Sequence, residues 1–395
     1  MKKYFFTVFV LLLIHGPLSM VYGQTYVWKN GQPLVTDPDS ITFVQPDMSA
    51  QVISSEKTEG DYTEIHFRYP TQDYLGRPVW MSAQLLLESA QVASKHIGKM
   101  AMYSHYTIAR LDECPSAGQS DMQKLVLSCH FAIVSADYEG FGETGDRWQA
   151  YCFGEANARA SIDALLAARE WLVKEGYTLS DTIINYGYSQ GAQTAVAAIK
   201  LSQSEYRGKV RFMKNFAGGG PYDLRLTFCK FLEYGEIDQP AVLPMTIITI
   251  NELRNYGLNY ADVFKVPLAN NVKSWFISKK FSTKEIRELF GSDRISDFIQ
   301  PAYTDSTSVE ISAVLKEVDQ YNLTTGWVPD ADTDIKLFHS LNDGLVAPEN
   351  SKQMYDFFVS NGVTNAVLDT TTLTLKHLDS GVSFALQMVM ELMSW

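Results

Sequence analysis

Residues Asn185 to Ala195 read NYGYSQGAQTA, a serine bracketed by glycines two positions away on each side. The residues leading into it, TIINYGY, are rich in β-branched and aromatic types, as a buried strand is. The residues after it, AQTAVAAIK, are alanine-rich and read as a helix. Only Ser189 and its immediate neighbours are left to reverse the chain, so the turn must be very tight. Side chains at Gly187 or Gly191 would collide there, which accounts for both glycines. The pattern is G-x-S-x-G, a nucleophile elbow that lifts a serine hydroxyl above the edge of a sheet.

A serine hydroxyl attacks only when a base takes its proton and an acid orients that base. In chains with this elbow the acid and then the histidine follow the serine. Among seven histidines, only His339 and His377 lie in the C-terminal part of the core. His339 sits inside the strand-like DIKLFHS, as a packed structural histidine would. His377 follows the last strand in TLKHLDSG, which reads as a loop ahead of a final helix from about Ser383 to Met393, and it is the expected base. For the acid, HSLNDGLVAP places Asp343 directly after a strand. Asp369, at the end of the next strand, is the rival, and an Asx-turn role for Asp343 is the structural alternative. The negative intermediate needs backbone donors: the N–H of Gln190, and one from the loop beginning YSHYTIAR, at Tyr106 or Thr107. His105 either braces that loop or simply packs.

Three stretches, GYSQGAQ at Gly187–Gln193, ADYEGFGE at Ala136–Glu143 and NDGLVAP at Asn342–Pro348, resemble the α/β-hydrolase superfamily, and within it the secreted lipase and esterase branch. The similarity spans most of residues 60–395. It implies a Ser189-Asp343-His377 esterase with a helical cap over an acyl pocket and no cofactor. The chain has His105-Tyr106 where many relatives carry His-Gly, which leaves the second oxyanion donor between Tyr106 and Thr107. Asp137 and Glu139 read as loop structure beneath the site.

Strand and helix patterns alternate from Tyr62, beginning with two strands, YTEIHFRYP and VWMSAQLLLE, that suggest an antiparallel hairpin at a sheet edge. The expected architecture is α/β: a mostly parallel central sheet with helices on both faces. From about Tyr222 to Asp332 the chain reads as helices without clear strands. The organisation is therefore a signal peptide (1–23), an extension (24–60), a core (61–221 and 333–395) and a helical cap insertion (222–332). The cap's many aromatics are expected mostly to form its own core and otherwise to line the acyl pocket.

Lys2 and Lys3 followed by YFFTVFVLLLI and a small-residue ending fit a signal peptide cleaved after Gly23, which implies a secreted or periplasmic protein. The apolar run falls short of the about 20 residues of a spanning helix. The net charge is −12; loss of Lys2 and Lys3, with no acid, makes it −14. That opposes nucleic acid or an anionic membrane as partner. A small-molecule ester or lipid is the expected substrate, with no stable membrane insertion. Of four cysteines, Cys114 and Cys152 lie in apparent loops and are the first pair to consider for a disulfide; four buried thiols are the alternative. No metal motif or helix-opening phosphate loop is present. Two other functions fit the elbow: a serine peptidase of the same fold, and a binding protein without turnover.

Overall fold

The computed structural model describes residues 28–29, 32–33, 51–57, 62–370 and 375–395. The expected signal peptide and its cleavage site lie outside the described residues. Trp28–Lys29 and Gln32–Pro33 pair as a short antiparallel ribbon.

Among the described residues, the chain from Gln51 on builds a nine-stranded sheet. Its strands are β1 (Gln51–Lys57), β2 (Tyr62–Gln72), β3 (Pro78–Glu88), β4 (Met100–Ser104), β5 (Ala132–Ala136), β6 (Ile183–Tyr188), β7 (Lys214–Gly218), β8 (Asp334–Phe338) and β9 (Asn365–Asp369). The order across the sheet is β9-β8-β7-β6-β4-β5-β3-β2-β1. The six strands from β9 to β5 are parallel; β3, β2 and β1 continue the sheet antiparallel. The expected hairpin is β2–β3, paired from Tyr62↔Glu88 to Gln72↔Pro78. It does not form the edge, because β1 pairs outside it. QVISSEK, mixed and mostly polar, carries no sustained alternation that would mark it as a strand.

Helices α1 (Asp121–Leu127), α2 (Gly154–Lys174) and α3 (Gln190–Ser202) connect the parallel strands. Between β7 and β8 lie α4 (Leu224–Tyr234), α5 (Val242–Arg254), α6 (Thr283–Phe290) and α7 (Val309–Val318), with shorter helical turns. Helix α8 (Glu349–Ser360) links β8 to β9, and α9 (His377–Met393) follows β9. Ile162 and Leu165 of α2, Val196 of α3 and Phe358 of α8 pack on one sheet face with Met100 and Met102. Val126 of α1 and Phe384 and Met388 of α9 pack on the other with Ala101 and Tyr103. Successive β4 residues thus feed opposite cores, as a pleated strand requires. Each large side chain buried this way contributes about 1.5–3 kcal/mol.

Helix α9 starts six residues before the expected Ser383, so His377 is its first residue and not part of a loop. Asp379, Ser380 and Gly381 are turn-favouring residue types, yet here they lie in the first turns of the helix. Gly381 serves close packing instead: a Cβ there would stand 3.1 Å from the Tyr188 ring.

The segment between β7 and β8 has its own apolar cluster. Phe228 and Phe231 of α4, Leu243 and Ile247 of α5, Ile286 of α6 and Val314 of α7 share it with Trp148, Tyr151, Leu345 and Val346 from core loops. A buried lysine fastens this segment to the core: Lys279 Nζ donates to the carbonyls of Gly140, Gly145 and Arg147. Ser282 and Glu285 form a capping box that starts α6.

Candidate active site

Ser189 stands between β6 and α3 with φ 57° and ψ −123°. A side-chain-bearing residue in that region carries strain of about 1–3 kcal/mol, which only a tightly determined turn sustains. Its amide donates to the Gly218 carbonyl at 2.8 Å, and its own carbonyl accepts from Ala192 at 2.9 Å. Both flanking glycines are needed. A Cβ on Gly187 would lie 2.3 Å from the Gly191 carbonyl oxygen, and one on Gly191 would lie 2.0 Å from that of Ser104. The elbow is therefore wedged against the end of β4.

Two of the residues expected from sequence converge on this serine. His377 Nε2 is 2.8 Å from Ser189 Oγ. His377 Nδ1 is 2.6 Å from Asp343 Oδ2. With Nδ1–H donating to the carboxylate, Nε2 is left to accept the serine proton. Asp343 follows β8, and its Oδ1 accepts from the amides of Leu345 and Val346, each at 2.9 Å. Burial pushes the Asp343 carboxyl upward, but the charge of His377 and hydrogen bonds from His339 and His377 outweigh it and hold the group well below the usual carboxylate range. The rival Asp369 ends β9, with its carboxylate 3.7 Å from Lys336 Nζ.

Three further residues support this arrangement, and sequence reasoning did not find their roles. His339 is buried, as a packed histidine should be, yet its Nε2 lies 3.3 Å from Asp343 Oδ2. The same Nε2 donates to the Val346 carbonyl at 2.9 Å, and Nδ1 pairs with Ser351 Oγ at 2.6 Å. Tyr188 donates its hydroxyl to the His377 carbonyl at 2.6 Å, and Ser380 Oγ donates to the same carbonyl at 2.9 Å. The Tyr188 ring also lies against the imidazole, with centroids 5.1 Å apart. Ser380, one helical turn past His377, was the only signal of this bracing in the sequence.

On the opposite side, Gln190 opens the thirteen-residue α3, where amide N–H groups have no helical partner and the helix dipole favours negative charge. Tyr106 and Thr107 follow β4. Thr107 Oγ1 is 3.3 Å from the Tyr151 hydroxyl, whereas the Tyr106 side chain is 43% exposed. His105 braces this loop. Its Nδ1 is 2.7 Å from the Tyr106 carbonyl, its Nε2 is 3.2 Å from that of Asp137, and its ring stacks on Tyr138. Burial lowers it to about 4. Asp137 and Glu139 hold loops: Asp137 accepts from Ser82 and Ser116, and Glu139 from the Tyr74 amide.

The disulfide considered between Cys114 and Cys152 is not formed; all four cysteines are free thiols. The two side chains belong to different apolar clusters, Cys114 with Ile108 and Phe141, and Cys152 with Tyr151 and the β7–β8 helices. Among the described residues no group of His, Cys, Asp and Glu could hold a metal ion, and no helix is long and apolar enough to cross a membrane.

Known structures share this architecture. The cell wall degrading esterase LipA of Xanthomonas oryzae is 22% identical, with 88% of this chain and 96% of that one covered and a TM-score of 0.69. A putative hydrolase of Legionella pneumophila is 17% identical over 87% and 96% of the two chains, with a TM-score of 0.76. Candida antarctica lipase A in its closed state is 14% identical over 89% and 86%, at 0.59. No curated protein matches the sequence. Residues 119–386, more than half of the chain and including Ser189, Asp343 and His377, match the secretory lipase family. The chain thus belongs to the secretory lipase family and is an α/β-hydrolase that cleaves carboxylic esters.

Proposed function

We propose that the protein is a secreted carboxylesterase that works through an acyl-enzyme on Ser189, with His377 as general base and Asp343 as its orienting acid. The observation that carries this reading is the continuous relay from Ser189 Oγ through His377 to Asp343, at 2.8 and 2.6 Å. His377 takes the serine proton as Oγ attacks the ester carbonyl, and Asp343 stabilises the imidazolium that results. The oxyanion is held by the N–H of Gln190 and by a donor from the loop after β4. Thr107, which borders both cavities beside Ser189, is favoured over Tyr106. The proton then passes to the departing alcohol, and water releases the acid by the reverse sequence.

The segment 222–332 acts as a cap over this site. Residues 1–23 act as a cleaved signal peptide, with Gln24 the first residue of the mature enzyme. N-terminal sequencing of the exported protein tests that cleavage.

A paired assay tests the chemistry. A p-nitrophenyl ester should turn over and a matched aminoacyl amide should not. Asp343→Asn should retain the fold and lose most turnover, because the imidazole is then mis-oriented. Faster amide cleavage would make the protein a peptidase. An inactive Asp369→Asn beside an active Asp343→Asn would reassign the acid.

A further inference from the structure

Among the described residues, two cavities meet at Ser189, and they differ in size and in the end of the site they touch. One is a cleft of about 430 Å³ whose walls include Tyr106, Met122, His377, Leu378 and Val382. The other is a narrow pocket of about 30 Å³, walled by Gln190, Tyr151, Leu224, Phe231 and Thr246 among others. Thr107, Ser189, Val242 and Leu345 border both. His377 touches only the cleft, and Gln190 only the pocket.

The chemistry assigns one substituent of the ester to each. The imidazole that takes the Ser189 proton must return it to the departing alkoxide, so the alcohol lies beside His377 Nε2. The oxyanion turns toward the Gln190 amide. The acyl substituent is then directed away from His377, into the pocket that Gln190 borders. A cavity needs about 10–15 Å³ of such space to seat one water-sized group. At about 30 Å³ the pocket seats roughly two.

We infer that the pocket takes the acyl group and the cleft takes the alcohol, which makes the enzyme selective for acetyl and propionyl esters of bulky alcohols. This rests on the proposed Ser189-His377-Asp343 reading. The abundant aromatics between β7 and β8 do not enlarge the acyl side. Phe228, Phe264, Phe276 and Phe298 are buried in that segment's own cluster, and Phe231 alone among its aromatics walls the pocket. Tyr106 lines the alcohol cleft and is not what limits acyl length.

The experiment uses the full mature enzyme and p-nitrophenyl acetate, propionate, butyrate and octanoate, each rate divided by its hydroxide-catalysed rate. Acetate and propionate should exceed octanoate in kcat/KM by at least about tenfold, while 1-naphthyl acetate, with its bulk on the alcohol side, stays within a few-fold of p-nitrophenyl acetate. Phe231→Ala, or Leu224→Ala if the first fails to fold, should raise the octanoate-to-acetate ratio about tenfold. A wild-type octanoate value equal to or above acetate overturns the assignment while leaving the esterase reading intact. Loss of 1-naphthyl acetate hydrolysis with retained p-nitrophenyl acetate hydrolysis overturns the alcohol side. Hydrolysis of none of these esters would instead overturn the esterase reading itself.

Discussion

His339 Nε2 lies 3.3 Å from Asp343 Oδ2, the same oxygen that His377 Nδ1 approaches to 2.6 Å. Two buried imidazoles thus bear on one carboxylate oxygen, and only His377 also reaches the serine. In the proposed mechanism His339 is a positioning residue. It joins the acid to the Val346 carbonyl and to Ser351 in α8.

Replacing His339 by Phe keeps the ring but removes this tie. One hydrogen bond is worth about 1 kcal/mol, which is roughly five- to tenfold if it is lost in the transition state. Steady-state kinetics should show kcat falling by that factor with KM little changed. Denaturant unfolding should show a loss of about 1–3 kcal/mol from the orphaned Val346 carbonyl. An unchanged kcat with the stability loss present would make His339 purely structural.

The elbow offers a sharper test. Gly191→Ala drives a Cβ to 2.0 Å from the Ser104 carbonyl oxygen, so backbone must move. Overpacking costs about 1–3 kcal/mol, and a 1 Å displacement of a reacting group costs about a hundredfold in rate. Gly118→Ala, with nothing within 4 Å of the new Cβ, should leave both unchanged. Thermal melts and ester turnover of the two variants check the contrast.

Lys279 should make stability depend on pH. Burial lowers its pKa to about 8, against the opposing charges of Asp146 and Glu139. A lysine whose folded pKa is depressed binds fewer protons folded than unfolded between that value and its ordinary pKa of about 10.4, so its contribution to stability rises with pH across that window. Lys279→Met should abolish this rise. It should also orphan three carbonyls at about 1–3 kcal/mol each before relaxation. Unfolding free energies from pH 7.5 to 10 compare the two proteins, and limited proteolysis should cut the variant faster near residues 273–281.

The four thiols are also countable. Cys114, Cys129 and Cys152 are buried, and Cys229 is partly exposed. Ellman's reagent should find about one reactive thiol in the native protein, namely Cys229, and all four after denaturation without reductant. Two after denaturation would mean a bridge.

The parts of this structure legible in sequence are those where one residue type answers one local demand. The glycines flanking Ser189, the apolar runs of β4 to β6 and the Ser282–Glu285 box are of that kind. Asp343 and His377 were legible because the order after an elbow serine is constrained and few histidines remain. What stayed hidden depends on long-range contact. Strand β1 forms on a polar sequence because β2 offers it an open edge. The start of α9 at His377 was masked by Gly381, whose purpose is contact with Tyr188, a residue far away in the chain. The bracing of His377 by Tyr188 likewise joins two elements, β6 and α9, that only the folded sheet brings together, whereas the tie of His339 to Asp343 spans four residues of the turn after β8 and depends on the shape of that turn. The Cys114–Cys152 pairing failed because loop position alone says nothing of which apolar cluster each thiol enters.

Labelling with a fluorophosphonate, read by intact mass and by peptide mapping, identifies the nucleophile directly. One adduct per chain should form, located on Ser189, with ester hydrolysis lost in proportion to labelling. Ser189→Ala should take no label and lose on the order of a millionfold in turnover. Label on another residue, or undiminished hydrolysis by Ser189→Ala, would mean that Ser189 is not the nucleophile.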